Sequence, residues 1–380
     1  PCTTCALRYL GCPGHFGHIE LCVPLYHPLL FGKLMELLRS KCLNCHKLTA
    51  PPRQLEVFRV KFQLLCHGRY SEALDLDDRL AAVMKSSKHV NENEKGGKDA
   101  FSIHSAELAV DTVLKEISNS MSTTGKVDKL SSFEDAHYRE LVKETISACR
   151  TAKSCPHCGA FSPRIRQDSS NKIFQSPLAA TSRRINEADG IELKPALIGG
   201  KDNNADRDDF VDGKNEEEDE ETRSPDGSRD KYMHPSEVKA QVERTWATNP
   251  ELCYLLFAVQ GPKVFFVQAV AVPPNRFRPP MHLGGMVVEH AQNMYLNKIL
   301  TSNELVRASF VTKNEAVAYK HWIDLQTHLN CYMDSSKDPS MNQNSSPGIR
   351  QLLERKEGIF RKHMMGKRVN FACRSVISPD

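Results

Sequence analysis

Cys42-x2-Cys45 and Cys155-x2-Cys158 stand 109 residues apart, and each pair is half of a tetrahedral metal site. A gap of two residues lets one tight turn aim both sulfurs at a single point, as Zn²⁺ requires. Neither pair completes a site alone, so the spacing predicts a long-range clasp that brings the ends of the intervening chain together. Gly159 permits the second turn, while His46 and His157 could substitute as ligands only by breaking the symmetric pair geometry. A local site opens the chain, with Cys2-x2-Cys5-x6-Cys12-x2-His15 and turn residues Gly11, Pro13 and Gly14 around its second half. His18 and Cys22 lie nearby, but His15 keeps the two-residue spacing and is the assigned fourth ligand. Two structural Zn²⁺ are therefore expected. The other cysteines, Cys22, Cys66, Cys149, Cys253, Cys331 and Cys373, read as packing residues. Thirteen is an odd count, and short clusters in a chain with no basic-then-apolar leader favour metal over disulfides.

Apolar spacing makes the rest mainly helical. Helices are expected over Pro28 to Arg39, Gln54 to Arg69, Ala106 to Ile117 and from Ser131, where Ser131 and Glu134 have capping-box spacing. Lys85 to Lys98, with Gly96-Gly97, reads as a polar hinge. Further on, Pro235 to Asn249 and Glu251 to Val259 read as helices and Val264 to Val272 as a strand. Asn275 to Pro280 forms a stiff Pro-bounded loop that exposes Arg276 and Arg278 around Phe277, closed by Gly284-Gly285. Val287 to Leu300 and Asn314 to Tyr332, joined by a link over Thr301 to Lys313, predict an antiparallel helical hairpin. The expected fold class is α+β, mainly helical, with two structural zinc sites and long irregular loops.

Charge separates the chain into unlike parts. Residues 201–231 carry thirteen Asp/Glu against six Lys/Arg, so a chain of net +4 has a body of +11. The acidic stretch holds almost nothing to bury and is expected to be a disordered loop. A basic body suits a polyanion, nucleic acid before membrane. From Arg350 to Arg374, Arg350, Arg355, Lys356, Arg361, Lys362, Lys367, Arg368 and Arg374 face only Glu354 and Glu357. Gly366 sits among them as a point of flexibility, and Val369 to Ile377 interleaves apolar residues in a way that suggests packing. No run of eighteen apolar residues exists, which excludes a spanning helix. A start on Pro1 beside a cysteine motif is expected of a segment of something larger.

Three stretches carry a resemblance: Cys2-x2-Cys5-x6-Cys12-Pro13-Gly14-His15-Phe16-Gly17-His18-Ile19, the Pro-rich Val272 to Pro280, and Met365-Gly366-Lys367-Arg368-Val369-Asn370-Phe371-Ala372-Cys373-Arg374-Ser375-Val376-Ile377-Ser378. Together they resemble the largest subunit of multisubunit DNA-dependent RNA polymerases. Asn370, Cys373 and the acidic insertion are most similar to the polymerase I form. The resemblance implies an N-terminal clamp divided as a zinc part (1–45), a helical clamp-head insertion (46–160), a linker (161–198), an acidic insertion (199–232), a clamp core (233–333), a rudder-like loop (334–349) and a basic switch (350–380). Arg276 to Gly285 would be the lid that parts RNA from template. The rudder-like loop lacks the usual basic tip. Arg276, Arg278, Arg350, Lys356, Arg361, Lys367, Arg368 and Arg374 would meet nucleic acid. Implied partners are the DNA template and RNA–DNA hybrid, the second-largest and other polymerase subunits, and an initiation factor at the helical hairpin, with no membrane. The catalytic aspartates and their Mg²⁺ would lie beyond Asp380, and the enzyme would make ribosomal RNA precursor in the nucleolus of the nucleus. The alternatives are the matching segment of polymerase II or III, or a freestanding zinc-dependent nucleic-acid-binding scaffold. A RING-type cross-brace interleaves its pairs over tens of residues, not across 109.

Overall fold

The computed structural model describes residues 2–8, 11–92, 99–121, 132–169, 171–191, 230–259, 261–338, 347–367 and 369–378. Its frame is one antiparallel pair, β1 (Gly17–Tyr26) against β5 (Phe266–Val272), with Gly17 opposite Val272 and Tyr26 opposite Phe266. Register shifts between Glu20 and Leu25, which leaves backbone groups of β1 without strand partners. Two helices answer them. The amide of Asn303 accepts from Cys22 N (3.0 Å) and donates to Glu20 O (3.0 Å), Trp322 Nε1 donates to Pro24 O (3.2 Å), and Gln326 caps Tyr26 N and O at 2.7 and 3.0 Å. Buried polar backbone must find such partners, so these side chains fix how the helices sit on the sheet.

Three groups of helices surround this pair. α1 (Phe31–Arg39) buries Phe31, Leu34, Met35, Leu37 and Leu38. Between the cysteine pairs run α2 (Pro52–Cys66), α3 (Tyr70–Glu92), α4 (Asp99–Met121) and α5 (Ser132–Thr151). Four helices stand where three were expected. Helix α3 continues through residues 85–92, so most of the supposed hinge is helical because Ala73, Leu76 and Leu80 bury one face of the same helix. Residues 93–98 and the proposed cap Ser131 lie outside the described residues. Segment 161–198 carries β2 (Ile165–Asp168), β3 (Lys172–Gln175) and α6 (Ala180–Ala188). β4 (Lys231–Tyr232) completes a three-stranded sheet by pairing with β3. The far end of the acidic stretch is thus in sheet, with Asp230 on Arg166 at 3.0 Å. Residues 192–229, the core of the expected disordered loop, lie outside the described residues.

α7 (Pro235–Thr248) and α8 (Pro250–Phe257) supply Val238, Val242, Trp246, Leu252 and Leu256 to the larger core, where Trp246, Phe257 and Phe265 meet edge to face or tilted. The turn at Gly284-Gly285 pairs β6 (Met281–Leu283) with β7 (Met286–Val288). That pairing uses residues expected to be helical, and α9 (Ala291–Val311) begins only after His290 accepts a cap bond from Gln292 N. α9 also absorbs most of the expected link, leaving Thr312, Lys313 and Asn314 to turn the chain into α10 (Glu315–Met333). The hairpin itself stands as expected. Ile299, Val306, Trp322, Leu325, Leu329 and Tyr332 form with Ile19, Val23, Leu25 and Val270 a second core on the other side of the sheet.

After a 3-10 turn at Ser335–Lys337 and α11 (Ile349–Leu353), a π-helical turn over Phe360–Met365 leads into extended chain. Here the expectation of packing fails. Val369, Phe371, Val376 and Ile377 are exposed, because nothing among the described residues folds back over them. Gly366 takes φ −135° and ψ 150°, a conformation open to any residue, so its special freedom is unused. Residues 339–346, half of the rudder-like loop, lie outside the described residues.

Candidate metal centres and basic surface

Three of the four ligand pairs share one backbone turn. In each, the first cysteine's N–H donates to the carbonyl five residues on: Cys2 to Leu7 (2.8 Å), Cys42 to Lys47 (2.8 Å) and Cys155 to Ala160 (2.9 Å). The residue after the second cysteine donates back to the first: Ala6 to Cys2, His46 to Cys42 and Gly159 to Cys155, at 2.9, 3.2 and 2.8 Å. Those three residues are left-handed, with φ of 57°, 60° and 73°. A left-handed residue is uncommon outside glycine, and three in one role mark a repeated ligand-presenting turn.

The turns converge in two places. Cys2, Cys5, Cys12 and His15 form one group, Cys42, Cys45, Cys155 and Cys158 the other, and the ligand atoms of each group lie within 4.8 Å of one another. Sγ of Cys42 and Cys158 are 3.7 Å apart and those of Cys45 and Cys155 3.6 Å. In the first group Cys5 and Cys12 stand at 3.6 Å, and Cys12 Sγ is 3.5 Å from His15 Nε2. A tetrahedron with Zn–S of about 2.3 Å has S···S edges of about 3.8 Å, and S···N edges of about 3.5 Å. The donor sets therefore fit Zn²⁺, and both groups could hold it. None of the thirteen cysteines forms a disulfide.

Three of the rejected alternatives are used elsewhere. His18 faces Glu20, Cys22 donates to Asn303 O, and the His157 ring is 3.0 Å from Leu48 O. Supporting polar groups, which spacing alone does not reveal, surround the sulfurs. Asn44 N–H points at Cys42 Sγ (3.4 Å), its amide at Cys158 Sγ (3.7 Å), and Ser162 Oγ at Cys42 Sγ (3.7 Å). At the first group the backbone N–H groups of Cys5 and Thr4 bring the Cys2 thiol down to about 6. At the second, burial pushes Cys45 and Cys155 up, whereas for Cys158 the Ala160 N–H and neighbouring thiols outweigh burial and bring it down to about 7. A dication bound at either group would hold its coordinating sulfurs as thiolates outright.

The first centre touches the Pro-bounded loop directly. Gly14 has φ +83°, and a Cβ there would lie 2.8 Å from Pro274 Cβ. Within that loop Arg278 is occupied by the protein: it donates to Pro273 O (3.1 and 2.9 Å), Asn275 Oδ1 (3.0 Å) and Asn293 Oδ1. Arg276 and Phe277 are exposed beside it. Among the other cations, Arg350 pairs with Asp334 at 2.9 Å and Glu354 at 3.0 Å, while Lys356, Arg361, Lys367 and Arg374 lie exposed along the final stretch. Arg368 lies outside the described residues. No helix among the described residues is long and apolar enough to cross a membrane.

The whole chain aligns with polymerase subunits. DNA-directed RNA polymerase I subunit rpa1 of Schizosaccharomyces pombe is 31% identical, covering 100% of this chain and 26% of that protein. Subunit RPA1 of polymerase I from Euplotoides octocarinatus is 31% identical over 100% of this chain and 68% of its own length, and RPA190 of Saccharomyces cerevisiae 32% over 100% and 26%. A polymerase III subunit, rpc1 of Dictyostelium discoideum, is 22% identical over the same full chain and 21% of its own length. The chain thus spans about a quarter of the Schizosaccharomyces and Saccharomyces proteins. The family model "RNA polymerase Rpb1, domain 1" matches residues 1–364, and the chain belongs to that family.

Proposed function

We propose that this chain is the N-terminal clamp segment of the largest subunit of RNA polymerase I, holding template and RNA–DNA hybrid during synthesis of ribosomal RNA precursor in the nucleolus. The observation that carries it is the end-to-end alignment with polymerase I subunits at 31–32% identity, against 22% for a polymerase III subunit. The divisions drawn from the sequence then become clamp parts. Both cysteine groups hold structural Zn²⁺, residues 276–285 serve as lid, and residues 350–380 form the switch. The catalytic aspartates and Mg²⁺ belong to a later part of the same subunit, and the exposed apolar residues from Val369 to Ile377 pack against that part or the second-largest subunit. The exposed tip of the helical hairpin, with Phe310 and Val311, offers an initiation factor its contact.

Lys356, Arg361, Lys367, Arg368 and Arg374 would neutralise phosphates without reading bases, as an enzyme that accepts every sequence requires. Arg276 is placed to join them from the lid. Lys367→Glu in the assembled polymerase tests this. Template affinity should drop, and the slope of log K against log salt should flatten by about 1 or more. An unchanged slope with unchanged affinity overturns the switch assignment.

A further inference from the structure

We infer that Asp334 is a positioning residue that locks the end of the helical hairpin to the start of the basic stretch, and that Arg350 serves this lock instead of a phosphate. The inference rests on the clamp reading above and assigns a part within it. Asp334 caps the C-terminus of α10, and its side chain is only 3% exposed. Its Oδ1 accepts from Ser336 N (3.1 Å), Ser336 Oγ (2.6 Å) and Gln351 Nε2 (2.6 Å), and Oδ2 accepts from Arg350 Nη1 (2.9 Å). Four donors nearly saturate a carboxylate.

The lock is double. Gln351 Oε1 accepts in turn from Ser335 N at 3.2 Å, so residues 334–336 and 350–351 hold each other from both sides. Gly348 lets the two chain ends approach, since a Cβ there would stand 2.8 Å from Ser335 N and 2.9 Å from Cys331 O. Lys337 Nζ, donating to Pro28 O at 3.1 Å, pins the same corner to the chain ahead of α1. Burial alone would raise the Asp334 carboxyl, but the donors from Ser336, Gln351 and Arg350 hold it well below the usual carboxylate range. A carboxylate this committed keeps its arginine. Arg350 also meets Glu354, so two anions already compensate its charge, whereas Lys367 is exposed and meets no carboxylate among the described residues.

The consequence is mechanical. With residues 334–336 held to residues 350–351, any swing of α10 is delivered to α11 and the cations after it. The test uses the assembled polymerase with the full-length subunit and a fixed template–hybrid scaffold, titrated with salt. Arg350→Ala should weaken binding about fivefold without changing the salt slope. Asp334→Asn should do the same, the double variant should be no worse than either single change, and Arg350→Lys should recover part of the loss. Should Asp334→Asn fail to assemble, Gln351→Leu loosens the lock without altering charge and should give the same unchanged slope with faster hydrogen exchange over 349–353. A slope lowered by about 0.9 in Arg350→Ala, or additive losses in the double variant, overturns the inference. Lys367→Glu in the same series separates the two claims: if it too leaves slope and affinity unchanged, the clamp reading fails and not the lock alone.

Discussion

Replacing Cys155 by Ser opens the clasp that joins the two ends of the α2–α5 excursion. Its cost follows from the length enclosed. Cross-linking the ends of a loop of about 110 residues removes about 5 kcal/mol of unfolded-chain entropy at 25 °C, and structural Zn²⁺ supplies about 10–16 kcal/mol of binding free energy to hold such a tie. Whole domains are stable by only about 5–15 kcal/mol, so losing the tie consumes a large share. The helices keep their packing around Phe58, Phe62, Leu65, Leu76 and Leu114 within the larger core, and secondary structure should persist while the ends separate. Zinc analysis should fall from two ions per chain to one, with urea unfolding showing a loss of about 5 kcal/mol. Cys149→Ala is the control: its thiol is buried and belongs to neither ligand group, and burial pushes it up to about 11. It should keep two ions and cost about 1–2 kcal/mol. A Cys155→Ser chain that retains two ions, or loses under about 1 kcal/mol, refutes the clasp.

Gly14→Ala forces a Cβ against Pro274 at a left-handed φ; a loss of about 1–3 kcal/mol with both ions retained and faster hydrogen exchange over 273–278 is expected. His234 supplies a pH dependence. Both its ring nitrogens are buried without a partner, and burial holds the imidazole down to about 4. The unfolded chain therefore binds a proton that the folded chain refuses between about pH 6.5 and 4. Stability is fully present above 6.5 and falls by about 2–3 kcal/mol as pH drops through that window. His234→Phe, seated among Tyr232, Tyr319 and Trp322, should flatten that fall in denaturation series run from pH 7 to 4.

The eight candidate metal ligands were legible because ligand spacing is local, and only the joining of the Cys42/Cys45 pair to the Cys155/Cys158 pair spans distance. The hairpin was legible too, since Ala318, Trp322, Leu325, Leu329 and Tyr332 repeat at helical spacing and are all buried. Helix α3 was missed although Ala73, Leu76 and Leu80 share its inner face, because acidic residues crowd the positions between them. β2, β3 and β4 carry two to four residues each, too few for a period of two to emerge. Charge could be read at Arg278 and Arg350 but not its destination. Their partners, Asn293 and Asp334, are fixed by how α9 and α10 lie, and nothing in the local pattern announces them.

Cys42 and Cys158 meet at 3.7 Å, so the chain enters and leaves the α2–α5 excursion through one narrow neck. Helices α2 and α5 also pack on α8 outside that neck, Arg59 pairing with Glu251 and Tyr138 Oη donating to Leu255 O, so the freedom to change lies in the connections flanking α4. Residues can be gained or lost between α3 and α4, or between α4 and α5, at the slow logarithmic cost of a longer loop and without shifting any strand register or helix crossing beyond the neck. Those connections are thereby free to diversify in length and surface, generation after generation, while the parts on which the proposed grip depends stay fixed.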